Sequence, residues 1–93
     1  MLIELLLAAA AQQNVEVYVS THRGDPVPYA RVTTYRNGQA QRPAPTTNHR
    51  GRVTFPIACT GEVKFRAYYV SGELSNNSSW GNCGPRVLLK FYP

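Results

Sequence analysis

The stretch "VEVYVSTHRGDPVPYARVTTY", residues 15–35, decides how the chain folds. Val15, Val17 and Val19 are separated by Glu16, Tyr18 and Ser20, and Ala30, Val32 and Thr34 by Arg31, Thr33 and Tyr35. A β-strand sends successive side chains to opposite faces, so each run turns one small set inward and leaves the other outside. "HRGDPVP", residues 22–28, breaks the first run. Asn37-Gly38 after the second supplies the left-handed backbone of a tight hairpin.

The same period runs through the rest of the chain. In "RVTFPI", residues 52–57, Val53, Phe55 and Ile57 share one face. In "EVKFRAYYV", residues 62–70, Val63, Phe65, Ala67 and Tyr69 point inward, and Lys64, Arg66 and Tyr68 outward. "RVLLKFY", residues 86–92, sets Val87, Leu89 and Phe91 against Leu88, Lys90 and Tyr92. Residues 39–48 are rich in Pro and Thr, which predicts a short edge strand or an irregular loop, because Pro43 and Pro45 donate no ladder hydrogen bond. Residues 48–51 read as a turn and residues 71–85 as a long loop. About five or six short strands with turns between them predict an all-β, antiparallel, immunoglobulin-like sandwich over residues 14–93. The apolar segment 1–13 precedes it as a short helix.

Two segments carry a resemblance. Gly24-Asp25-Pro26-Val27-Pro28-Tyr29-Ala30-Arg31-Val32 and Thr46-Thr47-Asn48-His49-Arg50-Gly51-Arg52-Val53-Thr54-Phe55 resemble the paired motifs of carboxypeptidase regulatory-like or transthyretin-like β-sandwich domains. The resemblance covers about residues 15–70 and implies the sandwich. It implies little about function, since such domains serve as accessory, adhesive and stalk modules. Tyr29 stands where that family commonly has glycine, and Asn48 where it commonly has aspartate. An asparagine makes the same backbone-mimicking turn.

A chain of 93 residues forms one small domain with little stability to spare. Cys59 and Cys83 form a disulfide if the compartment is oxidising, and are two free thiols in a cytosolic protein. Asn76 and Asn77 each open an N-x-S glycosylation sequon. Together these features predict an extracellular or cell-surface location. The net charge is +5, with eight of ten cations arginine. They are scattered, without a basic helix or nucleic-acid motif, so no specific nucleic-acid partner is expected. A basic surface suits anionic glycans, lipids or neighbouring subunits.

Catalysis needs a positioned carboxylate or a base beside a nucleophile. Here Glu4, Glu16, Asp25, Glu62 and Glu73 are dispersed, and His22 and His49 lie in turns, so no enzyme, metal site or cofactor is expected. Arg23-Gly24-Asp25 is a tripeptide that integrins read, but its turn geometry alone accounts for it. Trp80 in a polar loop is a candidate carbohydrate contact, or alternatively a cap on the core beside the disulfide.

The opening "MLIELLLAAAAQQ", residues 1–13, has no Lys or Arg before its apolar run and carries Glu4 within it, an incomplete secretory signal. As a helix its apolar part spans about 15–18 Å, short of the ~30 Å hydrocarbon layer, so no stable transmembrane span is expected. If retained, Leu2, Ile3, Leu5, Leu6 and Leu7 need burial, and other copies of the chain are the natural shelter. The arrangement is similar to type IV pilins, though shorter and with its acid at position 4. The leading expectation is therefore the structural subunit of a cell-surface filament, a homopolymer joined through this segment. The alternative is a secreted carbohydrate-binding or accessory module whose opening residues are a cleaved signal.

Overall fold

The computed structural model describes residues 12–70 and 76–93. The expected assembly residues Leu2, Ile3, Leu5, Leu6 and Leu7, and the expected helix, lie outside the described residues. Among these the chain forms β1 (Gln13–Thr21), β2 (Arg31–Arg36), β3 (Gln39–Ala40), β4 (Arg52–Ile57), β5 (Val63–Tyr68), β6 (Gly81–Asn82) and β7 (Arg86–Phe91). They make two sheets, ordered β4-β1-β7 and β3-β2-β5-β6. The result is a small all-β sandwich.

The alternation in sequence becomes the alternation of burial. Val15, Val17, Val19, Val32, Phe65, Ala67, Leu89 and Phe91 are buried between the sheets, while Leu88, between Val87 and Leu89, is 63% exposed. Phe55 from one sheet meets Phe65 from the other at 5.1 Å between ring centroids. Val53 and Ile57 pack against the margin of this core. Asn37 and Gly38, with φ of 52° and 83°, turn β2 into β3 with Arg36 opposite Gln39, as the hairpin signal predicts.

The sandwich is not wholly antiparallel. β1 runs antiparallel to β4 but parallel to β7, with Val17 beside Val87 and Val19 beside Leu89. Parallel neighbours need a long crossover, and here the five intervening strands supply it. The period of two specifies which side of a strand is buried and carries no information on the direction of its partner. A second difference is β6, which lies inside the stretch expected to be a loop and pairs with β5.

The two resemblance motifs meet at one place. The Thr47 hydroxyl donates to the Val27 carbonyl at 2.7 Å and accepts from the Ala30 N–H at 3.0 Å, with Thr47 only 1% exposed. Thr47 N–H in turn donates to the Ala30 carbonyl, and Tyr29 N–H to the Thr47 carbonyl. Gly51, with φ of 74°, accepts from Val19 N–H at 2.7 Å; a Cβ there would stand 2.5 Å from the Val19 oxygen. The Asn48 side chain accepts from the N–H groups of Arg50 and Arg52, which forms the turn the sequence calls for. Tyr29, at the position where the domains it resembles commonly have glycine, has φ of 60° and occupies left-handed backbone.

Cys59, after β4, is bonded to Cys83, after β6, and joins the two sheets. Closing a loop of sequence separation 24 restricts the unfolded chain by roughly 3–4 kcal/mol in the loop-entropy account. The bond fits an oxidising compartment. Among the described residues no helix is long and apolar enough to cross a membrane.

The two left-handed positions give opposite expectations. Tyr29 is 70% exposed, so Tyr29→Gly relieves backbone strain at little cost in burial and raises stability by up to about 1 kcal/mol. Gly51→Ala adds strain and a backbone collision, and lowers stability by at least about 2 kcal/mol. Urea unfolding of both variants measures the difference.

Candidate functional site

The outer face of the four-stranded sheet follows from what its inner face buries. With Val32 and Thr34 inside on β2, Arg31, Thr33 and Tyr35 point out; with Val63, Phe65 and Ala67 inside on β5, Lys64, Arg66 and Tyr68 point out. The register sets Arg31 opposite Tyr68, Thr33 opposite Arg66, and Tyr35 opposite Lys64. Aromatic rings and cations therefore share this face across two adjacent strands.

Trp80 joins this face from the segment that leads into β6. Ser78 and Ser79 hold that segment on both sides. Ser78 N–H donates to the Ala67 carbonyl and the Ser78 hydroxyl accepts from Ala67 N–H at 2.8 Å, while Ser79 N–H donates to the Lys90 carbonyl and Lys90 N–H to the Ser79 hydroxyl. The Arg66 guanidinium lies 4.6 Å from the centroid of the indole, anchored through Nε to the Ser78 carbonyl at 2.9 Å. Tyr35 meets the indole nearly edge-on, at 5.0 Å and 70°. With Arg66 over one face and Tyr35 against it, Trp80 still keeps 48% of its surface exposed. The cap reading is corrected here, because Trp80 sits outside the sheet, away from the core.

Tyr35 is a ridge between two shallow depressions. One, of about 210 Å³, is lined by Tyr35, Gly38, Glu62, Lys64 and Trp80. The other, of about 310 Å³, is bounded by Arg31, Thr33, Tyr35, Gln41, Arg42 and Tyr68. Glu62 is held at 3.5 Å by Lys64. A rigid, half-exposed indole suits the apolar face of a sugar ring, and flanking amide and guanidinium donors suit its oxygens.

The remaining candidates are dispersed. His22 stacks on Tyr92 at 6.3 Å, while Arg23, Gly24 and Asp25 occupy an exposed turn closed by Thr21 N–H donating to the Asp25 carbonyl. His49 is exposed in the turn before β4. Among the described residues no three His, Cys, Asp or Glu side chains lie close enough to hold a metal ion. Asn76 and Asn77 are exposed, and Asn77 bridges to Tyr68, so both sequons border the aromatic face.

The opposite sheet carries its own arginine pair, with Arg52 and Arg86 at 5.9 and 5.5 Å from the Tyr18 ring. There the Tyr18 hydroxyl donates to Glu16 at 2.7 Å. Hydrogen bonding to Tyr18, followed by the nearby charges of Tyr18 and Glu16, raises the Arg52 pKa above its ordinary value. This cluster carries its own counter-charge, and its exposed neighbour is the aliphatic Leu88.

Trp80 was accessible to sequence reading as a candidate, whereas its partners were not. Arg66 and Tyr35 are outward positions on strands that read clearly. That Trp80 meets them depends on β6, which leaves only two residues of pattern. No protein-family model matches the chain, and no curated protein matches it.

Proposed function

We propose that the chain is a secreted accessory module that holds carbohydrate on the outer face of its four-stranded sheet. The observation that carries this reading is the half-exposed Trp80, fixed by Arg66 and Tyr35 at the rim of one depression, with a second on the far side of Tyr35. Preorganisation matters because a ring already held in place loses little freedom on binding. The disulfide supports a location outside the cytoplasm. Membership of the carboxypeptidase regulatory-like or transthyretin-like domains is part of the same proposal, supported by the Thr47 clamp and the left-handed backbone at Tyr29.

Trp80 is the single tryptophan, so its fluorescence reports the site directly. Titration with a panel of soluble oligosaccharides and polysaccharides shifts or quenches the emission of the wild type. Trp80→Ala and Tyr35→Ala each weaken binding at least about tenfold, measured by calorimetry, and leave the near-native urea midpoint of a half-exposed position. Unchanged affinity in both variants, or no binding by the wild type, overturns the reading.

The apolar run of residues 2–11 favours a second role that is compatible with the first, assembly of copies into a surface filament. Electron microscopy of native material in which mass spectrometry finds residues 1–11 retained then shows long particles. A product beginning at Gln12, or a chain lacking residues 1–11 that still polymerises, removes this role.

A further inference from the structure

We infer that the carbohydrate held on this face is polyanionic, a glycan bearing carboxylate or sulfate groups, with Arg31 and Arg66 as the residues that pair with its charges. The inference rests on the carbohydrate-binding reading and adds the class of ligand. Four cations border the two depressions and the indole: Arg31, Arg42, Lys64 and Arg66. Among the described residues one carboxylate, Glu62, faces them, and Lys64 engages it. A neutral sugar uses these groups as hydrogen-bond donors only, whereas a chain of fixed negative charges is also attracted and aligned by their charge.

The placement of the guanidinium groups sharpens the point. Arg31 stands opposite Tyr68 and Arg66 opposite Thr33, so the two arginines are diagonal neighbours on adjacent strands. At Cβ such positions are roughly 7–8 Å apart or a little less, near enough to serve successive groups of one chain. Each side chain is also held by a single bond to backbone, Arg31 to the Ala44 carbonyl at 3.2 Å and Arg66 to the Ser78 carbonyl at 2.9 Å. A guanidinium has five N–H donors in a planar fork that matches carboxylate and sulfate oxygens. One donor fixes the fork and the others are left for an anion.

Single-stranded nucleic acid is the competing polyanion. It binds on successive aromatic rings that offer parallel faces to stacked bases. Here Tyr35 and Trp80 stand at 70° to one another, and the disulfide suits an oxidising compartment better than the reducing one where nucleic acid is the common ligand. The geometry presents one platform beside several cations, which fits a sugar ring with charged neighbours.

The test uses the full chain and four probes: polygalacturonate for carboxylate, dextran sulfate for sulfate, unsubstituted dextran as the neutral chain, and an oligothymidylate. One or both acidic glycans bind at least tenfold more tightly than dextran at 50 mM NaCl, and that preference falls severalfold at 300 mM. Arg31→Gln and Arg66→Gln each weaken the acidic glycan about five- to tenfold. Arg52→Gln, on the opposite sheet, has no effect beyond twofold. Equal, salt-independent binding of dextran and the acidic chains overturns the inference and leaves the carbohydrate reading standing. Binding of none of the glycans removes both. Tighter binding of oligothymidylate, or an Arg52→Gln loss equal to that of Arg31→Gln, also overturns it, the second because the attraction would then belong to net charge and not to this face.

Discussion

The parity of a β-strand connects the core of this protein to its surface. β5 buries Val63, Phe65 and Ala67, and the same geometry leaves Lys64, Arg66 and Tyr68 no place but the outside. A slip of one residue would bury a lysine and an arginine and expose a phenylalanine. Burial of a large apolar side chain contributes about 1.5–3 kcal/mol, and an unpaired buried charge costs far more, so the register is decided by the core. β2 obeys the same rule with Val32 and Thr34. The face that carries Tyr35, Arg66 and Trp80 is thus a consequence of how the valines and phenylalanines pack.

Register alone would leave the ends of the strands loose, and three local devices hold them. The Thr47 hydroxyl serves both a donor and an acceptor of the segment that enters β2, so buried backbone groups there are paired. Gly51 lets the chain pass against Val19 where any side chain would collide. The disulfide ties the segment after β4 to the segment after β6, the strand that Trp80 leads into. The exposed margins are interrupted as well. Pro56 sits on β4 at a sheet edge, and β3 is two residues long, which discourages pairing with other strands.

Much of this was legible in the residues. The valines of β1, the Asn37-Gly38 hairpin, the Asn48 turn and the pairing of Cys59 with Cys83 each rest on local chemistry that a sequence displays directly. Tyr29 is the most telling case: it stands where the domains the sequence resembles commonly have glycine, and its φ is 60°. The parallel pairing of β1 with β7 was not legible, because alternation does not encode strand direction. β6 escaped because two residues are too few for a period. Trp80 drew attention as an isolated aromatic residue, but its position over Arg66 arises from bonds that Ser78 and Ser79 make to distant strands. Site geometry built from such long-range contacts has no local signature.

The most direct test of the carbohydrate-binding account is a map of amide and indole NMR shifts during titration with an oligogalacturonate. The account predicts that the largest changes fall on the Trp80 indole and on the amides around Arg31, Tyr35, Arg66 and Tyr68, with the Tyr18, Arg52 and Leu88 face unmoved. Shifts centred on Tyr18 and Leu88, or spread evenly over both sheets, would contradict it.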